Sequence, residues 1–81
     1  MIYIDMTIQI RDNGNGSVDV DCFFGILNGN ANVGERRRTF VEVKMSDGLG
    51  MAQAARARYL AYYRKLYNEP NDSDEQLELP F

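Results

Sequence analysis

The stretch MAQAARARYLAYYRKLY, residues 51–67, decides the fold, because its apolar side chains recur with the period of an amphipathic helix. At about 100° per residue they fill about a third of the circumference, as on a helix face that packs on a core. The other side is basic. The residues before this helix are therefore expected to form the sheet that it covers. The predicted apolar face consists of Met51, Ala52, Ala55, Tyr59, Tyr62, Tyr63 and Leu66.

Two earlier stretches alternate apolar and polar residues with the period of two that half-buried strands show. Residues 2–11 place Tyr3 on the outward face, and residues 18–27 do the same with Phe23. The Asn-Gly pairs in residues 12–17 tolerate positive φ and predict a hairpin turn between them. We expect no calcium loop there, because glycines stand where an EF-hand needs oxygen ligands.

A third strand is expected over residues 38–45, after a mobile loop at residues 28–37 that is polar and rich in glycine and asparagine. The alternation in this strand sends Val41 and Val43 inward and Phe40 outward. The three strands then form an antiparallel meander.

Opposite charges on neighbouring strands indicate the register of the sheet. Arg11 is expected opposite Asp19 on the first hairpin, and Asp21 opposite Lys44 on the second. Asp19 and Asp21 are then interpreted as partners of surface ion pairs, the alternative being a metal site or an acid/base pair.

These patterns predict an α+β fold in which a three-stranded antiparallel β-meander packs on one C-terminal α-helix, followed by an acidic tail. Ser46 or Asp47 is expected to cap the helix near Leu49, and residues 68–70 to end it. The predicted core consists of Ile4, Met6, Ile8, Val20, Cys22, Phe24, Val41, Val43, Ala55, Tyr59, Tyr62 and Leu66.

Charge divides the chain into two parts. Residues 1–68 hold all 9 Lys and Arg against 7 acids, a net charge of +2, whereas residues 69–81 hold 5 acids and no base. We therefore predict a domain over residues 1–68 and an acidic tail with an apolar plug over residues 69–81.

Length and composition restrict the class of protein. A chain of 81 residues makes one small domain of marginal stability, so partner binding or a homodimer is expected. No apolar run approaches the about 20 residues of a membrane span, and the first ten residues do not resemble a secretory signal. The single cysteine, Cys22, is expected in the core without a disulfide, which favours a cytoplasmic location.

The residues that most enzymes use are missing. The chain has no histidine, which is the commonest general base and metal ligand. A buried Cys22 thiol would be a poor nucleophile. No glycine-rich motif that cradles phosphates is present. We expect no enzyme, no metal and no cofactor.

Exposed aromatic residues on the outward sheet face suggest a single-stranded nucleic-acid binder. Bases stack on such rings for about 1–3 kcal/mol each, and nearby basic residues contact phosphates. The alternatives are that a second copy or the tail covers the rings, and that the basic residues are ordinary solvated surface. The candidate nucleic-acid-binding residues are Tyr3, Phe23, Phe40, Arg36, Arg37, Arg38, Arg58 and Lys65.

The tail is the most specific feature. Its first part, residues 68–74, has no apolar side chain beyond Pro70 and cannot order itself by burial. An acidic tether with an apolar plug has the design of a linear recognition peptide. The alternative is that it folds back on the open sheet face or pairs with a strand edge. The candidate partner-binding residues are Gln76, Leu77, Leu79, Pro80 and Phe81.

Two peptide families resemble this tail. Pro80 and Phe81, after the acids of residues 72–78, resemble the C-terminal tip of bacterial single-stranded-DNA-binding proteins, although Leu77 and Leu79 depart from its acidic pattern. That tip recruits replication and repair enzymes through its terminal Phe and carboxylate. The tail also looks like the hexapeptide that docks in the bacterial sliding clamp, on the residues Gln76, Leu77, Leu79 and Phe81. Both resemblances imply a host replication or repair factor as partner.

The body resembles, in size and style alone, small phage and prophage proteins, among them anti-CRISPR inhibitors that block a host complex by binding it. The first functional hypothesis is therefore a non-catalytic phage- or prophage-type interaction protein that binds and modulates or inhibits a host protein complex of replication, repair or defence. The second is a small single-stranded nucleic-acid-binding protein with a C-terminal recruitment tail.

Overall fold

Three consecutive strands and one helix make up the folded part of the protein. The computed structural model describes residues 1–69. Strand β1 spans Ile2–Asp12, β2 spans Ser17–Asn28, β3 spans Ala31–Lys44, and helix α1 spans Met45–Leu66. The strands form one antiparallel sheet in the order β1-β2-β3, and α1 packs across one side of it. The predicted α+β architecture is confirmed.

The first hairpin follows the sequence prediction closely. Its turn contains Gly14 and Gly16 with φ angles of 80° and 87°, which side-chain-bearing residues rarely adopt. The Asp12 carboxylate accepts a hydrogen bond of 2.8 Å from the Gly14 amide and closes the turn. Arg11 lies opposite Asp19, so the predicted register of this hairpin is confirmed.

The second connection is much shorter than predicted. Only Gly29 and Asn30 separate β2 from β3, and Gly29 has a φ of 61°. The expected mobile loop at residues 28–37 is therefore wrong. Its polar residues belong to β3, an edge strand with one side open to solvent, where such side chains need no burial.

A β-bulge in β3 changes which side chains face the helix. Val41 and Glu42 together occupy the place opposite Asp19. Glu42 has a φ of 52°, and its amide donates a hydrogen bond of 3.0 Å to the Asp19 carboxylate. The extra residue moves the alternation of β3 by one position.

The bulge overturns the expected orientation of β3. Phe40 packs against the core, whereas Val41 is 65% exposed, so the predicted outward Phe40 and core Val41 are both wrong. Asp21 lies opposite Thr39, and Lys44 pairs elsewhere on β2, so the expected Asp21–Lys44 pairing is also wrong.

Helix α1 begins earlier than predicted and ends where expected. Lys44, in extended conformation, precedes its first turn without a side-chain cap, so neither Ser46 nor Asp47 caps it. At the other end Asn68 has a φ of 57°, its amide bonds to the Lys65 carbonyl, and the Glu69 amide bonds to the Arg64 carbonyl at 2.7 Å. This is a Schellman motif with asparagine in place of glycine.

The core lies between α1 and the sheet. The Phe24 and Tyr59 rings pack at 5.1 Å between centroids, and Val20 approaches the helix at Gly48. Leu66, predicted to be in the core, is 58% exposed because it lies in the last turn. The core residues are Ile2, Ile4, Val18, Val20, Cys22, Phe24, Ile26, Ala52, Ala55, Tyr59 and Tyr63. The other predicted core residues, Met6, Ile8, Val43 and Tyr62, are partly buried against them.

Candidate functional site

The residues predicted to bind nucleic acid lie on two separate surfaces. Tyr3, Phe23 and Arg37 lie on the sheet face away from the helix, called the open face below. Phe40 and Arg38 lie on the opposite side, next to α1. The expected single surface with three exposed aromatic rings is therefore not formed.

The open face carries one ordered row of side chains across its centre. Thr7, Phe23 and Arg37 are neighbours on the three strands, and the Arg37 guanidinium lies 5.0 Å from the Phe23 ring centroid. Arg37 also forms an ion pair of 3.3 Å with Asp21, whose carboxylate accepts a hydrogen bond of 2.6 Å from Thr39. Phe23 is therefore 36% exposed, and its ring is packed against the Arg37 guanidinium.

The two carboxylates of β2 are structural acceptors. The hydrogen bond from Asn13 and that from the Glu42 amide lower the pKa of Asp19, and Arg11 at 3.8 Å adds to this. The Thr39 hydroxyl chiefly lowers the pKa of Asp21. Carboxylates held in this way stay ionised and do not share a proton. Within residues 1–69, no group of three or more His, Cys, Asp or Glu side chains could hold a metal ion.

The open face becomes acidic toward the start of β1. Asp5 and Glu35 lie on either side of Gly25 in one row, and both are exposed. Gly25 leaves a dent between them. Carboxylates repel phosphates, so Tyr3, in the next row along β1, does not have the basic surroundings that a nucleic acid would need. This end of the open face suits a protein surface better.

A basic groove lies on the other side of β3, between that strand and the helix. Its volume is about 170 Å³. The Arg38 guanidinium stands 5.3 Å from the Phe40 ring centroid on one wall, and Arg58 of α1 stands on the other. We call it the β3–α1 groove; it is lined by Arg38, Phe40, Met51, Ala54, Ala55 and Arg58.

The charge of the β3–α1 groove is uncompensated within the folded part. Among residues 1–69, no acidic side chain lines the groove, and none forms an ion pair with Arg38 or Arg58. This groove was not predicted from the sequence, because it depends on the bulge that sets the orientation of Phe40. The sequence holds one indication of the groove: Arg36, Arg38 and Phe40 are spaced two residues apart, so they lie on the same face of a strand.

Arg36 extends the basic wall along β3. Its Nε donates a hydrogen bond of 2.9 Å to the hydroxyl of buried Tyr63, which raises the pKa of Arg36. Lys65 is exposed near the helix end and, seven residues after Arg58, lies on the same side of α1. Four of the predicted basic residues therefore flank one side of the molecule, while Arg37 lies on the open face.

Cys22 is buried in the core, and burial raises the pKa of its thiol. Such a thiol is neither accessible nor ionised at neutral pH.

The last residue that the structure describes is tied to the start of β1. The Glu69 carboxylate accepts a hydrogen bond of 3.0 Å from the Ile2 amide, which chiefly lowers the pKa of Glu69, and forms an ion pair of 3.2 Å with the Met1 amino group. The predicted partner-binding residues Gln76, Leu77, Leu79, Pro80 and Phe81 lie outside the described residues. Over the described part of the chain, no helix combines the length and the apolar character needed to cross a bilayer.

Comparison with known proteins gives no relative: no family model, no curated protein and no solved structure matches this chain.

Proposed function

We propose that this is a non-catalytic interaction protein of phage or prophage type, which docks on a host protein complex through its C-terminal peptide. The observation that carries the proposal is that residues 1–69 pack a core between α1 and the sheet, and that a Schellman motif ends the helix ahead of the peptide. The peptide with Gln76, Leu77 and Phe81 follows that helix end and supplies a linear motif beyond it. The open face, with Tyr3 and Phe23 exposed beside carboxylates, offers a second contact for a protein partner.

The peptide supports a replication or repair factor as partner. Gln76 supplies an amide for a polar subsite, while Leu77, Leu79 and Phe81 supply the apolar side chains of the clamp-binding hexapeptide that this segment resembles. Burying one such apolar side chain contributes about 1.5–3 kcal/mol, so two of them supply about 3–6 of the about 8 kcal/mol that a micromolar affinity requires.

The direct test is binding of the full-length protein to a purified bacterial sliding clamp, measured by surface plasmon resonance. The double variant Leu77→Ala with Phe81→Ala is expected to bind at least about 100-fold more weakly. Asp72→Asn, outside the hexapeptide, is the matched control and should bind as the parent does. Equal binding by the parent and the double variant would rule out docking through the peptide.

A second variant separates the two peptide families. One glycine added after Phe81 moves the terminal carboxylate away from the ring, which abolishes recognition of the single-stranded-DNA-binding type. Docking of the clamp type depends on the side chains and should persist in this variant.

A pull-down from a bacterial lysate extends the test to defence complexes. Partners lost with the Leu77→Ala, Phe81→Ala bait bind the peptide. Partners lost only with a Tyr3→Ala, Phe23→Ala bait bind the open face, as expected for an inhibitor that covers a host complex with its folded domain.

A second candidate function, binding of single-stranded nucleic acid, is favoured by one observation, the uncompensated Arg38 and Arg58 beside the Phe40 ring. A gel shift with labelled single strands tests it. A shift at low salt that disappears at high salt and in Arg58→Ala supports this function. Arg56→Ala, on the other flank of the helix, is the control. No shift at low salt excludes it.

A further inference from the structure

We propose that the β3–α1 groove is the binding site of the chain's own acidic segment, residues 70–81. This inference rests on the groove and on charge, and it holds whichever external partner the segment has.

The groove has the chemistry of a receptor for an acidic peptide with apolar anchors. Phe40, Met51 and the flank of Ala55 give it an apolar floor, and Arg38 and Arg58 stand on its two walls. The stacking of Arg38 on Phe40 holds the guanidinium in place before any ligand binds. A guanidinium held in this way loses less conformational freedom when it pairs with a carboxylate.

The segment has the complementary chemistry. It carries four carboxylates, at Asp72, Asp74, Glu75 and Glu78, and no basic residue. Leu77 and Leu79 flank its last acid, Glu78, and Phe81 follows after Pro80, so the segment offers apolar anchors next to carboxylates. The domain that precedes it has a net charge of +2 over residues 1–68, which favours the same association.

The distances allow the segment to reach the groove. The segment starts after Glu69, beyond the end of α1, and Met51 at the far end of the groove lies about 22 Å back along the helix from Leu66. An extended chain over residues 70–81 spans up to about 40 Å. Because the segment is tethered, its effective concentration at the groove is of millimolar order, so a weak contact suffices to fill it.

A single strand of nucleic acid would compete for the same arginines. The own segment is favoured for two reasons. The groove floor is apolar over most of its length, and a free strand lacks the concentration that the tether provides. Occupation of the groove would also withhold Leu77 and Phe81 from an external partner.

The experiment uses the full-length protein with a nitroxide on the segment. Cys22 is buried, so Ser73→Cys gives one reactive thiol for labelling. Paramagnetic broadening of backbone amide signals is then read by NMR. We expect broadening at residues 38–40 and 54–58, and its loss in Arg58→Glu or at about 1 M salt, where the screening length falls to about 3 Å. Arg56→Glu carries the same charge change on the other flank and should keep the broadening.

Three results would overturn the proposal. One is the absence of broadening at the groove; another is broadening on the open face around Tyr3 and Phe23 instead. The third is broadening that arises only between molecules, shown by mixing spin-labelled and isotope-labelled chains. If the groove amides shift with single-stranded oligonucleotide and are not broadened by the label, the groove is a nucleic-acid site. Thermal unfolding of each variant verifies that the domain is intact.

Discussion

The two faces of the three-stranded sheet are stabilised by different interactions. On the face under α1, Phe24 is 1% exposed and packs on Tyr59, and the burial of apolar surface stabilises the packing. On the open face, Phe23 remains 36% exposed, and order comes from hydrogen bonds and ion pairs around Asp19 and Asp21. Neighbouring residues in the chain thus belong to two kinds of surface, one that stabilises the domain and one that is available for contact.

The largest expected difference between the faces is that between adjacent phenylalanines. Phe24→Ala removes a fully buried ring and should lower the free energy of unfolding by about 3–5 kcal/mol. Phe23→Ala loses partly exposed contacts with Arg37 and should lower it by about 1 kcal/mol or less. Urea denaturation followed by circular dichroism measures both. Similar losses for the two variants would contradict the assignment of the faces.

Acid should weaken the open face before it affects the core. Hydrogen bonds lower the pKa values of Asp19 and Asp21 below the unfolded value of about 3.9. The stabilisation from both groups is therefore present above about pH 4 and is lost as the pH falls through the folded pKa values. Melting temperatures at pH 7 and pH 3 should differ less for Asp19→Asn, Asp21→Asn than for the parent. Asp5→Asn, on the same face, is the control, and an unchanged difference in the double variant would contradict this account.

The hydroxyl of Tyr63, a buried residue of α1, should contribute more to the free energy of unfolding than the hydroxyl of exposed Thr39. Tyr63→Phe removes the acceptor for Arg36 Nε beneath the helix and should lower the free energy of unfolding by about 1 kcal/mol. Thr39→Val removes a hydrogen bond to Asp21 on the open face and should have a smaller effect, because water replaces the donor there. Chemical denaturation of the two variants at pH 7 gives the comparison.

The smallest expected difference lies within α1 itself. Gly50→Ala should raise the free energy of unfolding by about 0.5–1 kcal/mol, because alanine favours the helix and a Cβ there has open space. Gly48→Ala should gain less or lose, since its Cβ would lie 3.1 Å from Val20 Cγ2. Equal increases in the free energy of unfolding for the two variants would mean that Val20 moves aside without cost when a Cβ is added at Gly48.

The sequence predicted the first hairpin well because every signal agreed there. Asn-Gly pairs fixed the turn, alternation fixed the faces, and Arg11 opposite Asp19 fixed the register. In β3 the alternation was consistent but predicted the wrong phase: it sent Val41 inward and Phe40 outward, whereas the residues before the bulge have the opposite orientation. The position of a bulge depends on how β3 pairs with β2, here on the hydrogen bond from the Glu42 amide to Asp19. The alternation of residues along a single strand does not predict it.

The candidate site was predicted in composition and not in arrangement. Phe40, Arg38 and Arg58 were chosen as candidates from the sequence, and their role stays a prediction; the structure places them beside the helix, away from Phe23. The peptide with Gln76 and Phe81 was proposed from its sequence and stays a prediction, because it lies outside the described residues.

The position of three consecutive arginines, residues 36–38, on the edge strand also affects aggregation. Within residues 1–69, β3 pairs with β2 on one side only, so its other side is an edge to which a strand of a second molecule could pair. Two such edges brought together would bring arginines of like charge near one another. The bulge at Val41 and Glu42, and a second register shift near Val33, also interrupt the flat ladder that fibril growth requires. Both features disfavour edge-to-edge aggregation along the longest strand of the sheet.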